Sequence, residues 1–167
     1  MKKAVWSGLV AMVVTLGCAS LAHAQATANG AITVTATVNA KAKLTLGSAS
    51  ITFADADPDV TPTMTSGAVT IDVRARTSAS GSVTLTVLAT DDLKTAGGDV
   101  IPIGNLSWTA AGSGFVAGTA NKDTAQTVGS WNGGGSPSGS QTFALVNSWS
   151  YATGSYGVTL NYTLSAP

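Results

Sequence analysis

The sequence predicts an all-β protein, an Ig-like antiparallel β-sandwich of about eight to ten short strands. Apolar and polar residues alternate along several stretches, which is the period of a half-buried strand. Charged residues make up only 10% of the chain, which disfavours surface helices. Clusters of Gly, Ser, Pro and Asn separate the alternating stretches. Because each sheet must bury its apolar face, two packed antiparallel sheets are the simplest arrangement.

The first 24 residues are typical of a secretory signal peptide. Two lysines precede an apolar run over residues 4–16, and Ala22-His23-Ala24 forms an A-x-A cleavage site before Gln25. Acylation of Cys18 is the alternative interpretation of this segment. The apolar run is shorter than the ~20 residues that span a membrane. We therefore expect a single β-sandwich domain over residues 25–167, exported to the cell surface or beyond, with no membrane span.

The predicted strands begin with an alternating stretch over residues 32–46. At ~3.3 Å per residue this stretch is longer than a usual strand, so we expect a bend or a switch between sheets near residues 39–43. A short strand is predicted at residues 51–53, followed by a loop over 54–66. Residues 69–75 and 83–89 alternate in the same way on either side of Ser78-Ala-Ser-Gly81, which predicts a hairpin.

The second half of the chain continues the pattern. Short strands are predicted at 100–103, which includes Pro102, at 106–108, and at 128–131 before a Gly/Ser-rich loop. Two further strands are predicted at 143–149 and 156–164. The inward face of the last strand is predicted to carry Tyr156, Val158, Leu160, Tyr162 and Leu164.

The composition after residue 24 disfavours an enzyme. This part of the chain has no histidine, cysteine or glutamate. It therefore lacks the groups of a conventional catalytic triad, a reactive thiolate or an imidazole metal site. This part of the chain has six basic residues and eight aspartates, which gives a net charge near 6 − 8 = −2. It has no run of basic residues that would indicate a nucleic-acid surface. We expect a non-enzymatic protein without a nucleic-acid partner.

Three aspartates at alternate positions, Asp55, Asp57 and Asp59, form the candidate metal site. Calcium prefers clustered oxygen ligands of this kind. A solvated turn built on Asp57-Pro58 is the alternative, because aspartate readily forms turns. No other cofactor is expected.

The tryptophans are candidates for glycan binding. Exposed indole rings stack on sugars, and Trp131, beside the Gly/Ser loop, is the predicted glycan contact. Trp108 and Trp149 are expected in the core, since aromatic side chains dominate sandwich cores.

The first alternating stretch is the candidate for strand exchange. A strand of small apolar side chains can add to the sheet of a neighbouring subunit, or it can pair within its own domain. The predicted donated face consists of Ile32, Val34, Ala36 and Val38.

Two family resemblances accompany these patterns. The stretch "ITVTATVNAKAKLTLGSASITFADADPDVTP", with Phe53 and Asp57-Pro58, resembles the spore coat protein U type of secreted pilin-like domain. The C-terminal half is similar to the WxL-type surface domains of bacterial cell walls, through Tyr156, Leu160, Tyr162-Thr-Leu164 and Pro167. The first resemblance implies a pilin-like structural or adhesive subunit whose partners are copies of itself or other surface subunits. The second implies the alternative, a module that binds cell-wall glycan.

Overall fold

The computed structural model describes residues 27–167. The chain divides into two compact units, residues 1–36 and 37–167, and every strand described here belongs to the second. The predicted signal peptide, its cleavage site and Cys18 lie outside the described residues. The predicted boundaries therefore stay a prediction.

The fold is all-β and antiparallel, as the sequence predicts. Within residues 27–167 there are ten strands: β1 (Lys41–Leu46), β2 (Thr63–Arg76), β3 (Ser82–Ala89), β4 (Leu93–Lys94), β5 (Val100–Ile101), β6 (Leu106–Ala111), β7 (Gly118–Thr119), β8 (Gln126–Asn132), β9 (Ser138–Val146) and β10 (Leu160–Ser165). A 3₁₀ turn, Ile103–Asn105, joins β5 to β6. The predicted fold class and strand number are confirmed.

The strands form two main sheets and one short ribbon. The larger sheet has the order β1-β2-β9-β6-β7, the smaller has the order β10-β3-β8, and β4 pairs with β5. All pairings are antiparallel. The pairing register shifts once between β2 and β9 and once between β3 and β8.

The core lies between the inward faces of the two main sheets. In β3, alternate residues are buried to 2% exposure or less, and the residues between them are threonines and other half-buried side chains. Alternate positions of β2 are buried in the same way. Successive side chains of a strand point to opposite faces, so this alternation places one apolar face of each strand in the core.

The predicted hairpin of residues 69–75 and 83–89 is wrong. The two stretches are strands β2 and β3, but β2 pairs with β1 and β9, whereas β3 pairs with β10 and β8. The turn at 78–81 therefore carries the chain from one sheet to the other. Alternation fixes which face of a strand is buried, and it does not specify the neighbouring strand.

The first predicted strand is shorter than expected. Residues 27–40 have no regular secondary structure, and only Lys41–Leu46 forms a strand. The predicted strand at 51–53 is also wrong, because this segment is irregular. Ile51 and Phe53 nevertheless pack half-buried against the core. A strand needs a partner for its backbone as well as an apolar face.

The predicted inward face of the last strand is confirmed. Regular pairing begins only at Leu160, but Tyr156 and Val158 also pack against the core. Gly157 and Lys94 exchange two backbone hydrogen bonds of 3.0 and 3.1 Å, which hold this segment in place before β10 begins.

Candidate functional site

The two sheets end in neighbouring edge strands on one side of the sandwich. Strand β1 is the edge of the larger sheet and β10 is an edge of the smaller one, and the two lie close together. The inward side chains of β10 are only half-buried, in contrast to those of β3. The core is therefore less completely covered along β10 than at the centre of the sheet.

At the Leu160 end of β10 the molecule opens into a cleft of about 830 Å³. One wall is the irregular segment 51–58, and the other is formed by residues 147–160. The floor consists of the core residues Leu93, Ile101, Leu106 and Leu145. The cleft thus reaches the hydrophobic core directly.

Side-chain hydrogen bonds hold the first wall in place. The Asn147 Nδ2 group donates to the carbonyl oxygens of Ala56 and Thr61, at 2.9 and 3.0 Å. The Trp149 Nε1 group donates to Asp59 Oδ1 at 3.1 Å. The two bonds from Asn147 satisfy backbone carbonyls of a segment that has no strand partner.

The second wall is held by its tyrosines. The Asn105 Nδ2 group donates to the Tyr151 hydroxyl at 2.8 Å, and the Tyr156 hydroxyl donates to the Ala152 carbonyl at 2.8 Å. Desolvation, with a smaller contribution from Asp99, raises the pKa of Tyr156 above its ordinary value.

The floor of the cleft is suited to apolar side chains. The walls carry polar as well as apolar residues, and several of the polar side chains already bond within the protein. Among the described residues, β10 pairs only with β3, and the backbone groups on its other side have no strand partner. An unpaired strand edge beside apolar side-chain sites is the arrangement that accepts an added strand.

The predicted donor residues lie in the irregular segment 27–40. Ile32 and Val34 are 91% and 86% exposed, Val38 is 67% exposed, and Ala36 is also exposed. Single exposed apolar residues are common on protein surfaces. Three large exposed apolar residues within seven positions, all on one face of an extended chain, are unusual. Their role in strand exchange stays a prediction.

Two of the three aspartates of the candidate calcium site, Asp57 and Asp59, have turn contacts. The Asp59 backbone N–H donates to Asp57 Oδ1 at 2.9 Å, and Val60 and Thr61 donate to the Asp57 carbonyl, which is the expected Asp-Pro turn. Within residues 27–167, no three carboxylate, histidine or cysteine groups cluster as a metal site. Calcium binding stays a prediction, and the turn accounts for the observed contacts.

The tryptophans differ from one another in exposure. Trp108 is buried, as predicted, and its indole N–H donates to the Val116 carbonyl. Trp149 is 69% exposed, so its predicted core position is wrong. The hydrogen bond to Asp59 holds it at the rim of the cleft, outside the packed core.

Trp131 is half-buried. Its ring lies edge-on to Phe115, with centroids 4.9 Å apart, and its Nε1 donates to the Ser113 carbonyl at 2.9 Å. Gly114 and Gly129 leave space for this ring, because a Cβ at either position would lie within 2.4 Å of it. These contacts give Trp131 a packing role, and glycan contact by it stays a prediction.

The adjacent Asp91 and Asp92 have structural contacts. Lys94 Nζ lies 2.5 Å from Asp91, and Lys122 Nζ lies 2.5 Å from Asp92. The Ile103 N–H donates to Asp92 at 2.9 Å. The pKa of each carboxyl is lowered, mainly by the hydrogen bond from its own lysine partner. This network fixes the ribbon of β4 and β5 beside the 3₁₀ turn, and the non-enzymatic assignment stays a prediction.

No protein-family model matches this chain, and no curated protein matches it in sequence. From residue 27 onward, the structure contains no helix with the length and hydropathy needed to cross a bilayer. The argument for function therefore depends on the cleft, the exposed segment and the surface of the sandwich.

Proposed function

We propose that this protein is a non-enzymatic structural subunit of an exported surface assembly, in which copies join by strand addition. Residues 32–38 of one copy add to the free edge of β10 in the next, and their apolar side chains enter the cleft. The observation that carries this proposal is the coexistence of a half-covered core edge with an exposed alternating segment.

The lengths of the two parts are compatible. Seven residues of extended chain span about 23 Å at ~3.3 Å per residue. The acceptor edge runs from Tyr156 through the end of β10, which is a longer stretch. Because both the donor and the acceptor have a two-residue period, alternate donor side chains meet the core while the threonines between them face outward.

The energetic gain comes from two sources. Burying each large donor side chain contributes about 1.5–3 kcal/mol. New ladder hydrogen bonds satisfy the outer edge of β10 and supply affinity along the whole strand. Since each copy has one donor and one acceptor, the contact is head-to-tail and can repeat into a fibre.

The first experiment compares the mass in solution of residues 25–167 with that of a chain starting at Lys41, by light scattering after size exclusion. We expect polymers from the longer chain and monomers from the shorter one. The proposal fails if the longer chain stays monomeric at high concentration with residues 32–38 ordered in place. Polymers formed equally by the shorter chain would also contradict it.

Point variants separate the donor from the acceptor. The donor variant Ile32→Asp/Val34→Asp should stay monomeric, whereas its control Thr33→Asp/Thr35→Asp, with the same charge change on the other face, should polymerise. The acceptor variant Val158→Asp should stay monomeric, whereas Thr159→Asp, at the neighbouring exposed position, should polymerise. Circular dichroism verifies that each variant is folded.

Mixing the two defective variants gives the sharpest test. The donor variant retains an acceptor edge, and the acceptor variant retains a donor segment. We expect a 1:1 mixture to form heterodimers that do not grow further, because the remaining donor and acceptor are both defective. A mixture that stays monomeric, although both variants are folded, contradicts head-to-tail strand addition.

Glycan binding is the second candidate function, and the exposed indole of Trp149 favours it. Substitution Trp149→Ala should then weaken sedimentation of the protein with insoluble cell-wall polysaccharide at least about tenfold, as expected from the loss of an aromatic anchor. Trp131→Ala tests the sequence-based candidate in parallel. Unchanged sedimentation in both variants removes this second candidate.

A further inference from the structure

Four cationic side chains form one patch on the outer face of the larger sheet. In the antiparallel register, Lys41 lies opposite Arg76 and Lys43 lies opposite Arg74. All four residues are exposed and occupy alternate positions of their strands. They are four of the six bases after residue 24, and we call them the cationic face. The four bases do not form one run in the sequence, because strand pairing brings together residues that are about thirty positions apart.

The stability of the fold does not explain this arrangement. Like charges directly opposite on a sheet are destabilising. The ion pairs found among residues 27–167 involve Lys94 and Lys122, and none involves the cationic face. Arg76 Nε donates to the Asn39 carbonyl at 2.9 Å, a contact that leaves its charge uncompensated.

One carboxylate lies at the end of the patch. Asp72 stands opposite Thr45, two residues from Arg74 on the same face, and it accepts a hydrogen bond of 2.7 Å from the Ser138 hydroxyl. The face therefore retains a local net charge of 4 − 1 = +3 in a domain whose overall charge is negative.

The spacing of the cations suits a chain of anions. Residues opposite each other lie about 5 Å apart, and alternate residues on one strand lie about 7 Å apart. Arginine binds phosphate oxygens through two parallel hydrogen bonds, and lysine adds a point charge. A flexible polymer with regularly repeated phosphate groups can contact several of these cations together.

The surroundings of the patch favour a polymer with hydroxyl groups. The same outer face continues over the neighbouring strands through small hydroxylated side chains: Thr70, Thr109, Ser138, Ser140 and Thr142. The outward positions of β1, β2, β9 and β6 carry no aromatic side chain on which a nucleobase would stack. Sugar or polyol hydroxyls are therefore better partners for this surface than bases.

We propose that the cationic face binds a phosphate-bearing sugar or polyol polymer of a cell envelope. This inference does not depend on strand addition, because the face lies on the outer side of the larger sheet and the cleft residues are not part of it. It gives the protein a specific contact with an anionic surface.

The test measures binding of long-chain inorganic polyphosphate by isothermal titration calorimetry. If all four cations contact phosphate, the affinity should fall about 50-fold between 50 and 200 mM salt, from a slope of about 0.7 per neutralised phosphate. The variant Lys43→Gln/Arg74→Gln should bind polyphosphate at least about tenfold more weakly at 50 mM salt. Between 50 and 200 mM salt its affinity should fall only about sevenfold, because two cations remain. Its thermal midpoint should not decrease, since the change relieves repulsion.

The matched control is Lys94→Gln/Lys122→Gln, which removes the same net charge outside the patch. We expect this control to keep the wild-type affinity and salt dependence. Equal weakening in both double variants would assign the binding to net charge and overturn the proposal. Binding of single-stranded poly(dT) as tight as that of a ribitol phosphate polymer of equal charge would also overturn it, in favour of nucleic acid.

Discussion

At the scale of single residues, Gln141 and Tyr162 form a polar contact inside the apolar core. The Tyr162 hydroxyl donates to Gln141 Oε1 at 2.6 Å and so links β10 of the smaller sheet to β9 of the larger one. Gln141 is fully buried, and its Nε2 group has no partner among the described residues. Burial raises the pKa of Tyr162 to about 12. The contact orients β10 but leaves one buried donor unsatisfied, which is an energetic cost.

This raised pKa predicts a loss of stability in alkaline solution. The unfolded tyrosine ionises near pH 10, whereas the folded one stays protonated to about 12. The stabilising contribution of protonated Tyr162 is therefore fully present below pH 10. It is lost as the pH rises from 10 to 12, which lowers the free energy of unfolding by about 2–3 kcal/mol. Urea unfolding at several pH values measures this loss.

The variant Tyr162→Phe should lack this alkaline component. At neutral pH it should be less stable by about 1–2 kcal/mol, because the Gln141 carbonyl loses its donor. Tyr156→Phe is the control and should keep most of the pH dependence. If Tyr162→Phe and the wild type have the same alkaline slope, the buried contact is not its source.

At the scale of strands, the alternating pattern and the pairing pattern carry different information. Alternation predicts the buried faces of β2, β3 and β10 correctly, because side-chain direction depends only on the local backbone. It does not predict that β2 and β3 separate into different sheets, because the same apolar face fits either sheet. It also predicts strands at 32–40 and 51–53, where the described chain offers no backbone partner.

A synthetic peptide of residues 30–40 should provide the missing strand. Added to the donor variant Ile32→Asp/Val34→Asp, it should raise the free energy of unfolding by about 2.7 kcal/mol at a hundredfold excess over its dissociation constant. It should also lower the fluorescence of an apolar dye bound in the cleft.

In the control peptide each apolar residue changes places with the neighbouring polar one. The composition is unchanged, but the apolar side chains lie on the opposite face of the strand. It should have no effect on either measurement, because its threonines would face the core. An equal effect of both peptides would indicate unspecific association and contradict the assigned acceptor edge.

At the scale of the whole molecule, both candidate surfaces depend on contacts between distant parts of the chain. The cleft brings Ile51 and Phe53 together with Tyr156 and Val158, and the cationic face brings Lys41 together with Arg76. Such contacts leave no local pattern in the sequence. The exposed position of Trp149 is not predictable from the sequence for the same reason, since its indole bonds to Asp59, 90 positions earlier in the chain. The alternation of residues 32–38, in contrast, is visible in the sequence itself, although their exposure is not.

The order of strands in the smaller sheet has a further consequence for how the protein folds. Ala89 pairs with Leu160 and Val83 pairs with Trp131, so this sheet forms only after long loops have closed. Loop closure costs entropy before any contact is gained, and sandwiches of this kind fold in about milliseconds to seconds. During that interval β3 has an apolar face and two unpaired edges. We therefore expect refolding to be slow and its yield to fall steeply as the protein concentration rises.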